Sequence, residues 1–301
     1  MSVNIPTHFV QQYKDSVYHL SQQKGSKLRQ RVKTDILRGK SGYVDQLGST
    51  EMIEVTSRHA DTQRVDMPHA RRRYSARDYK WSELIDDSDK LRMLLNPSSE
   101  YVEAAAMAAG RQIDRTIMAA ADATAYTGED GSTATAYNTA MTVGVTERWP
   151  GTTSANYGLN VAKMIEAMKL LGSNNVDVED EKTLVINQRQ VASLMKDSRH
   201  VSHDYNVLKP LYDGTVVRYH GFNIVVTELI QQDANGYDKC LYWAKGGMCL
   251  ALSDDIKTRI SERPDKNYST QVFCALTVGA TRLEEVRVGY IECHASNGPG
   301  A

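Results

Sequence analysis

Long hydrophobic runs are missing from this 301-residue chain. No stretch approaches the ~18 consecutive apolar residues of a membrane-spanning helix, and the N-terminus lacks the short apolar core of a secretory signal. A membrane protein is therefore not expected. Cysteine is scarce: Cys240, Cys249, Cys274 and Cys293, all in the last quarter, each in an apolar, strand-like context. None form a Cys-x-x-Cys pair, so they read as buried free thiols suited to a reducing cytoplasm, not as disulfides or metal ligands. Catalytic signatures are missing too. There is no Gly-x-Ser-x-Gly elbow and no Gly-x-Gly-x-x-Gly loop. Gly39-Lys40-Ser41 matches the end of a phosphate-binding loop, but the upstream glycine position holds Thr34 and no buried strand precedes it. His200 and His203 lie three apart near Asp197, Asp204 and Asp213, in a polar segment without a zincin pattern. Asp86, Asp87 and Asp89 read as a solvated or salt-bridging turn rather than a divalent-cation site. No catalytic residue, cofactor or metal is expected, and the chain reads as a non-enzyme.

A hydrophobic content of 41% and a charged content of 24% are those of a globular protein rather than a disordered one. The net charge of −1 hides an asymmetry. Residues 1–80 hold 15 Lys and Arg against 8 Asp and Glu, a net of +7; residues 81–301 hold the remaining 21 against 29, a net of −8. A basic N-terminal part suits acidic surfaces on another subunit, or phosphates contacted without sequence reading.

Weak helical patterning (Phe9, Val10, Tyr13, Val17, Leu20) precedes a basic stretch from Lys24 to Lys40, and the region reads as an arm. From 42 to 85 the pattern is strand-like, with Met52, Ile53, Val55, Val65 and Met67 among polar residues. Two limbs joined near 59–63 form a long hairpin-like loop with no core of its own, and such a hairpin needs an external surface. Asn96 and Pro97 then suit the N-cap and first turn of a helix over 97–124. Val102, Ala105, Ala109, Ile113, Ile117 and Ala120 or Ala121 line one face of it. Downstream, an amphipathic helix (Val161 to Leu171) should stop at Gly172, followed by a buried strand at 183–186 and a short helix at 191–195. Strands are expected at 216–217 and 224–226 around His220-Gly221, then at 241–243, 248–252, 270–278 and 286–293. The elements are mixed without βαβ repetition, so the fold class is α+β.

In this order the chain resembles the Hong Kong 97-type major capsid proteins of tailed bacteriophages. The resemblance is carried by Asp213-Gly214-Thr215-Val216 with Gly221-Phe222-Asn223-Ile224-Val225-Val226-Thr227, and by Cys240-Leu241-Tyr242-Trp243 with Gly246-Gly247-Met248-Cys249. It is carried further by Val278-Gly279-Ala280-Thr281-Arg282-Leu283, by Val288-Gly289-Tyr290-Ile291-Glu292-Cys293, and by the run from Arg71 through Asn96-Pro97. It implies an N-terminal arm (1–40), an extended β-loop (41–82), and a peripheral domain (83–134 and 256–301) holding a long spine helix (97–124). The axial domain is 135–255.

The resemblance further implies a self-assembling shell of pentamers and hexamers enclosing double-stranded DNA, found in the virion and assembled in the host cytoplasm. A chain of this length leaves no room for a cleavable scaffolding domain, which implies a separate scaffolding protein. A portal protein and a decoration protein are the other implied partners. An encapsulin-type compartment shares the fold, and a small-molecule hydrolase built on the His200–Asp213 region is the rival from another class. The charge split points to Arg71, Arg72, Arg73 and Arg77 meeting Asp86, Asp87, Asp89 and Glu100 across subunit contacts.

Overall fold

The computed structural model describes residues 22–54, 56–58, 61, 64–85, 98–148, 155–196 and 218–295. The patterning at Phe9–Leu20, the Asn96-Pro97 cap, the 216–217 strand and the His200–Asp213 region lie outside these residues. By compactness the chain forms two units. One comprises Met1–Gly25, Asp78–Arg111 and Ile256–Leu276; the other comprises Ser26–Arg77, Gln112–Asp255 and Thr277–Ala301.

The second unit is organised around a six-stranded sheet with a single helix-covered core. Its strands run in the order β7 (Thr142–Val143), β14 (Val288–Cys293), β11 (Asp238–Ala244), β8 (Lys182–Ile186), β10 (Phe222–Val226), β9 (Arg218–Tyr219). The strands β8 and β10 are parallel, whereas β11 is antiparallel to both β8 and β14. Helix α2 (Val161–Ser173) lays Val161, Met164, Ala167 and Leu171 on Leu184, Ile186, Phe222, Tyr242 and Ile291. This helix runs one residue past Gly172: it ends at Ser173 with Asn174 as its C-cap, and Asn175 takes the left-handed conformation (φ 58°) that closes many helices. Helix α3 (Gln188–Met195) starts on Asn187, whose side chain accepts from the Gln190 N–H. Gly289 sits opposite Tyr242 because a side chain there would collide with the Tyr242 ring and the Met141 carbonyl; the Tyr242 hydroxyl donates to that carbonyl at 2.6 Å.

Two fully buried charged groups in this unit find partners. Lys163 is fully buried and donates to the carbonyls of Tyr157 (2.8 Å) and Glu292 (2.7 Å). Asp238, also fully buried, accepts from Asn187 (2.8 Å), Gln190 (2.9 Å), Gln232 (2.9 Å) and Arg189 (3.2 Å). Burial alone would raise this carboxyl, but those donors outweigh it and hold the group below the usual aspartate value. All four cysteines are buried free thiols, as their context suggested.

A second sheet runs β1 (Lys33–Ile36), β12 (Met248–Arg263), β13 (Ser269–Arg282), β4 (Arg77–Ile85), with β1 parallel to β12 from Lys33↔Cys249 to Ile36↔Leu252. Helix α1 (Ser98–Asp122) is continuous and buries Ala105, Ala109, Ile113, Ile117 and Ala121 at the anticipated spacing. A third, antiparallel sheet runs β2 (Ser41–Leu47), β3 (His69–Ser75), β5 (Ala125–Thr127), β6 (Thr133–Thr135). Gly39 turns directly into β2 rather than into a helix, so no phosphate-binding loop forms there.

Candidate assembly interface

Strands β2 and β3 pair from Ser41↔Ser75 to Leu47↔His69, and a bond from the Gly48 N–H to the Pro68 carbonyl (2.8 Å) closes the ladder. Beyond it the described residues form no strand. There the apolar side chains face outward: Met52 is fully exposed, and Ile53, Val65 and Met67 are 41–51% exposed, while Leu47 at the end of the ladder is 65% exposed. Five apolar side chains on one projecting loop form the kind of patch that marks a contact with another protein.

The base of this loop is better anchored than its sequence implied. Tyr74 is buried with Leu37 and Ala251, and its hydroxyl donates to Asp35 at 2.7 Å. The burial and the carboxylate push that hydroxyl up to about 12. Gly279 of β13 lies so close to the Ser75 carbonyl that any side chain would collide with it. Strand β3 also pairs with β5, so the loop grows from a four-stranded sheet instead of a free hairpin.

Beside that base is a cluster of buried charge. Arg72 donates through Nε to the Leu283 carbonyl (3.1 Å) and through a terminal nitrogen to Glu285 (3.0 Å). Arg282, fully buried, reaches the other Glu285 oxygen at 2.5 Å and donates to the carbonyls of Ala121 (2.8 Å) and Ala123 (2.9 Å). These carbonyls belong to the C-terminal end of α1, where a helix leaves acceptors unmatched and carries partial negative charge. The last turn of α1 has no basic residue of its own, and Arg282 supplies one from β13. Lys239 likewise holds Asp122 at 2.7 Å. One carboxylate thus joins the loop base and the helix end through two guanidiniums.

The arm is tied to the same helix. Asp114 is buried and accepts from the Ser26 hydroxyl (2.5 Å) and the N–H groups of Lys27 (3.0 Å) and Leu28 (3.1 Å).

The arginines singled out by charge are placed differently from one another. Arg72 is buried and held by Glu285 of its own chain. Arg71 pairs with Asp45 at 2.7 Å over the Tyr43 ring, yet keeps 43% of its side chain exposed. Arg73 lies against Gly131, and Arg77 is exposed. Asp86, Asp87 and Asp89 lie outside the described residues; Glu100 lies in α1, and its side chain is not described. Charge counting missed Arg282, Glu285 and Asp114. The available signal was an arginine inside an apolar strand, and an aspartate on the apolar face of a helix. No cluster of metal-ligating side chains exists among the described residues.

Residues 5–295 match the family described as phage capsid protein. The fold is similar to the capsid of Ralstonia phage GP4 (TM-score 0.74, 10% identity, covering 100% of this chain and 99% of that one). It is also similar to the capsid of cyanophage P-SCSP1u (TM-score 0.71, 14% identity, 98% and 96% covered). The head of Helicobacter pylori bacteriophage KHP40 is a third likeness (TM-score 0.71, 11% identity, 97% and 99% covered). No curated protein matches the chain in sequence.

Proposed function

Because the chain belongs to the phage capsid protein family, with a fold of the Hong Kong 97 type, we propose that its β2–β3 loop is the main clasp between neighbouring subunits of the head shell. The protein is a structural, self-assembling major capsid subunit rather than an enzyme. In this reading pentamers and hexamers close into an icosahedral shell around double-stranded DNA, after assembly in the host cytoplasm. A separate scaffolding protein, a portal and a decoration protein are the partners such a shell calls for. The basic arm touches phosphates without reading sequence.

The outward-facing Met52, Ile53, Val65 and Met67 carry the reading. Laid over a neighbour they bury apolar surface at ~25 cal/mol per Å². Arg73 and Arg77 then set register against Asp86, Asp87, Asp89 and Glu100 of the adjacent copy, each exposed pair contributing ~0.2–1 kcal/mol.

Sedimentation velocity and negative-stain microscopy test this on the full chain, with and without scaffold. The wild type should form shells, capsomers or tubes. Met52→Asp with Ile53→Asp should leave a folded subunit that stays small. A wild type that is monodisperse and monomeric under every condition would overturn the proposal.

A further inference from the structure

The turn between β10 and β11 holds two neighbours that can react with each other. Asn235 and Gly236 are both exposed, and Asn235 is the only asparagine followed by glycine among the described residues. One further such pair, at 297–298, lies outside them. Every other described asparagine precedes a residue whose side chain crowds its own backbone nitrogen. Apart from its chain neighbours, nothing lies within 4 Å of where a Gly236 side chain would begin, and its φ of 79° is one that glycine adopts freely.

Asp233 arranges the pair. One carboxylate oxygen accepts from the N–H groups of Asn235 (2.9 Å) and Tyr237 (2.7 Å), and the other accepts from the Asn235 side-chain amide at 3.1 Å. An aspartate bonding to its own backbone two residues on is a common turn device. Here it also fixes the amide nitrogen of Asn235 on one side of Cγ. The Gly236 N–H donates to the Asp233 carbonyl at 3.1 Å, a bond that must open before the nitrogen can turn to Cγ. Exposed turns open at low cost.

We propose that Asn235 is a self-modifying site, at which the Gly236 nitrogen attacks the Asn235 Cγ and expels ammonia. A bond forms between that nitrogen and Cγ, the Cγ–Nδ2 bond breaks, and the proton of the Gly236 N–H leaves with the ammonia. Water then adds to either carbonyl of the cyclic imide and yields aspartate or isoaspartate. Water is the sole co-reactant. The product sets a second carboxylate against Asp233 where an amide donor stood, so attraction turns to repulsion. Isoaspartate also lengthens the main chain between two N–H groups that Asp233 holds. The turn leads directly into Asp238 and its four donors, so the change falls beside a buried polar hub. This chemistry belongs to the single chain and stands apart from the shell reading.

The test is peptide mapping by mass spectrometry of the full-length protein, sampled during storage at neutral pH, folded and in urea. The folded wild type should convert at Asn235 ahead of every other described asparagine, with isoaspartate detected there by enzymatic methyl labelling. Gly236→Asn keeps a residue that tolerates the left-handed turn, and should bring conversion at position 235 down to that of the other asparagines. Asn235→Asp should lower the unfolding temperature by about 2 °C, and adding Asp233→Asn should recover most of that loss. Conversion at Asn235 in urea but not in the folded protein would overturn the proposal, by showing that the turn protects the pair. Persistence of the amide in both states would overturn it too. An unchanged unfolding temperature for Asn235→Asp would overturn the stated consequence of the modification.

Discussion

Glu285 is shared between two guanidiniums that are themselves nearly or wholly buried, and this makes it a sensitive single position. Removing the carboxylate leaves Arg72 and Arg282 as uncompensated charges in a low-dielectric setting, a change that costs about 3–5 kcal/mol when a buried pair loses one partner. Glu285→Ala is therefore expected to lower the chemical-denaturation midpoint sharply, and more than Asp45→Ala, whose partner Arg71 is largely open to water. Equal effects for the two would contradict the burial. Asp238 adds a pH dependence. Its native pKa lies below the unfolded value of about 3.9, so its contribution is fully present above that value and lost as pH falls through it toward the native pKa. Asp238→Asn should lose this acid-side slope. At neutral pH it should also be destabilised by ~1–3 kcal/mol for each donor left unmatched, because Asn187, Gln190 and Gln232 all aim N–H groups at the site. Acid titration of both proteins by circular dichroism checks the two effects together.

At the level of elements, α1 carries the second unit's arm, the loop base and its own C-terminal clamp on one rod. Ala109→Pro should break that rod: it deletes one helix hydrogen bond and clashes with the preceding turn, at ~3 kcal/mol or more. The expected result is loss of particles, with Ala109→Ser as the control that keeps the helix; normal particles from the proline variant would contradict a continuous α1. This helix was legible in the sequence because its apolar residues recur every three to four positions. The strands β8, β10, β11 and β14 were legible as apolar runs between turn residues. The polar ties were not. Asp114 and Arg282 look like ordinary interior polar residues until residues far away in sequence arrive to meet them, and no periodicity encodes that meeting. Gly172 misled for a related reason. A glycine near a helix end is a common stop, but the left-handed turn here was available to Asn175.

For the whole molecule, element order was readable and partner choice between distant segments was not. The long loop read as free of any core because Tyr74 and Gly279 find their neighbours only in the folded sheets. The most consequential of these distant pairings concerns timing. In the six-stranded sheet β14 lies between β7 and β11, and β1 near the start of the chain waits for β12. During synthesis at ~5–20 residues per second, Lys33–Ile36 leaves the ribosome roughly 10–40 s before its partner strand is made. The six-stranded sheet stays split until Val288–Cys293 follows. A nascent chain therefore holds no finished subunit to offer its neighbours on the same message. The place of that last strand sets the earliest moment in translation at which a complete subunit exists.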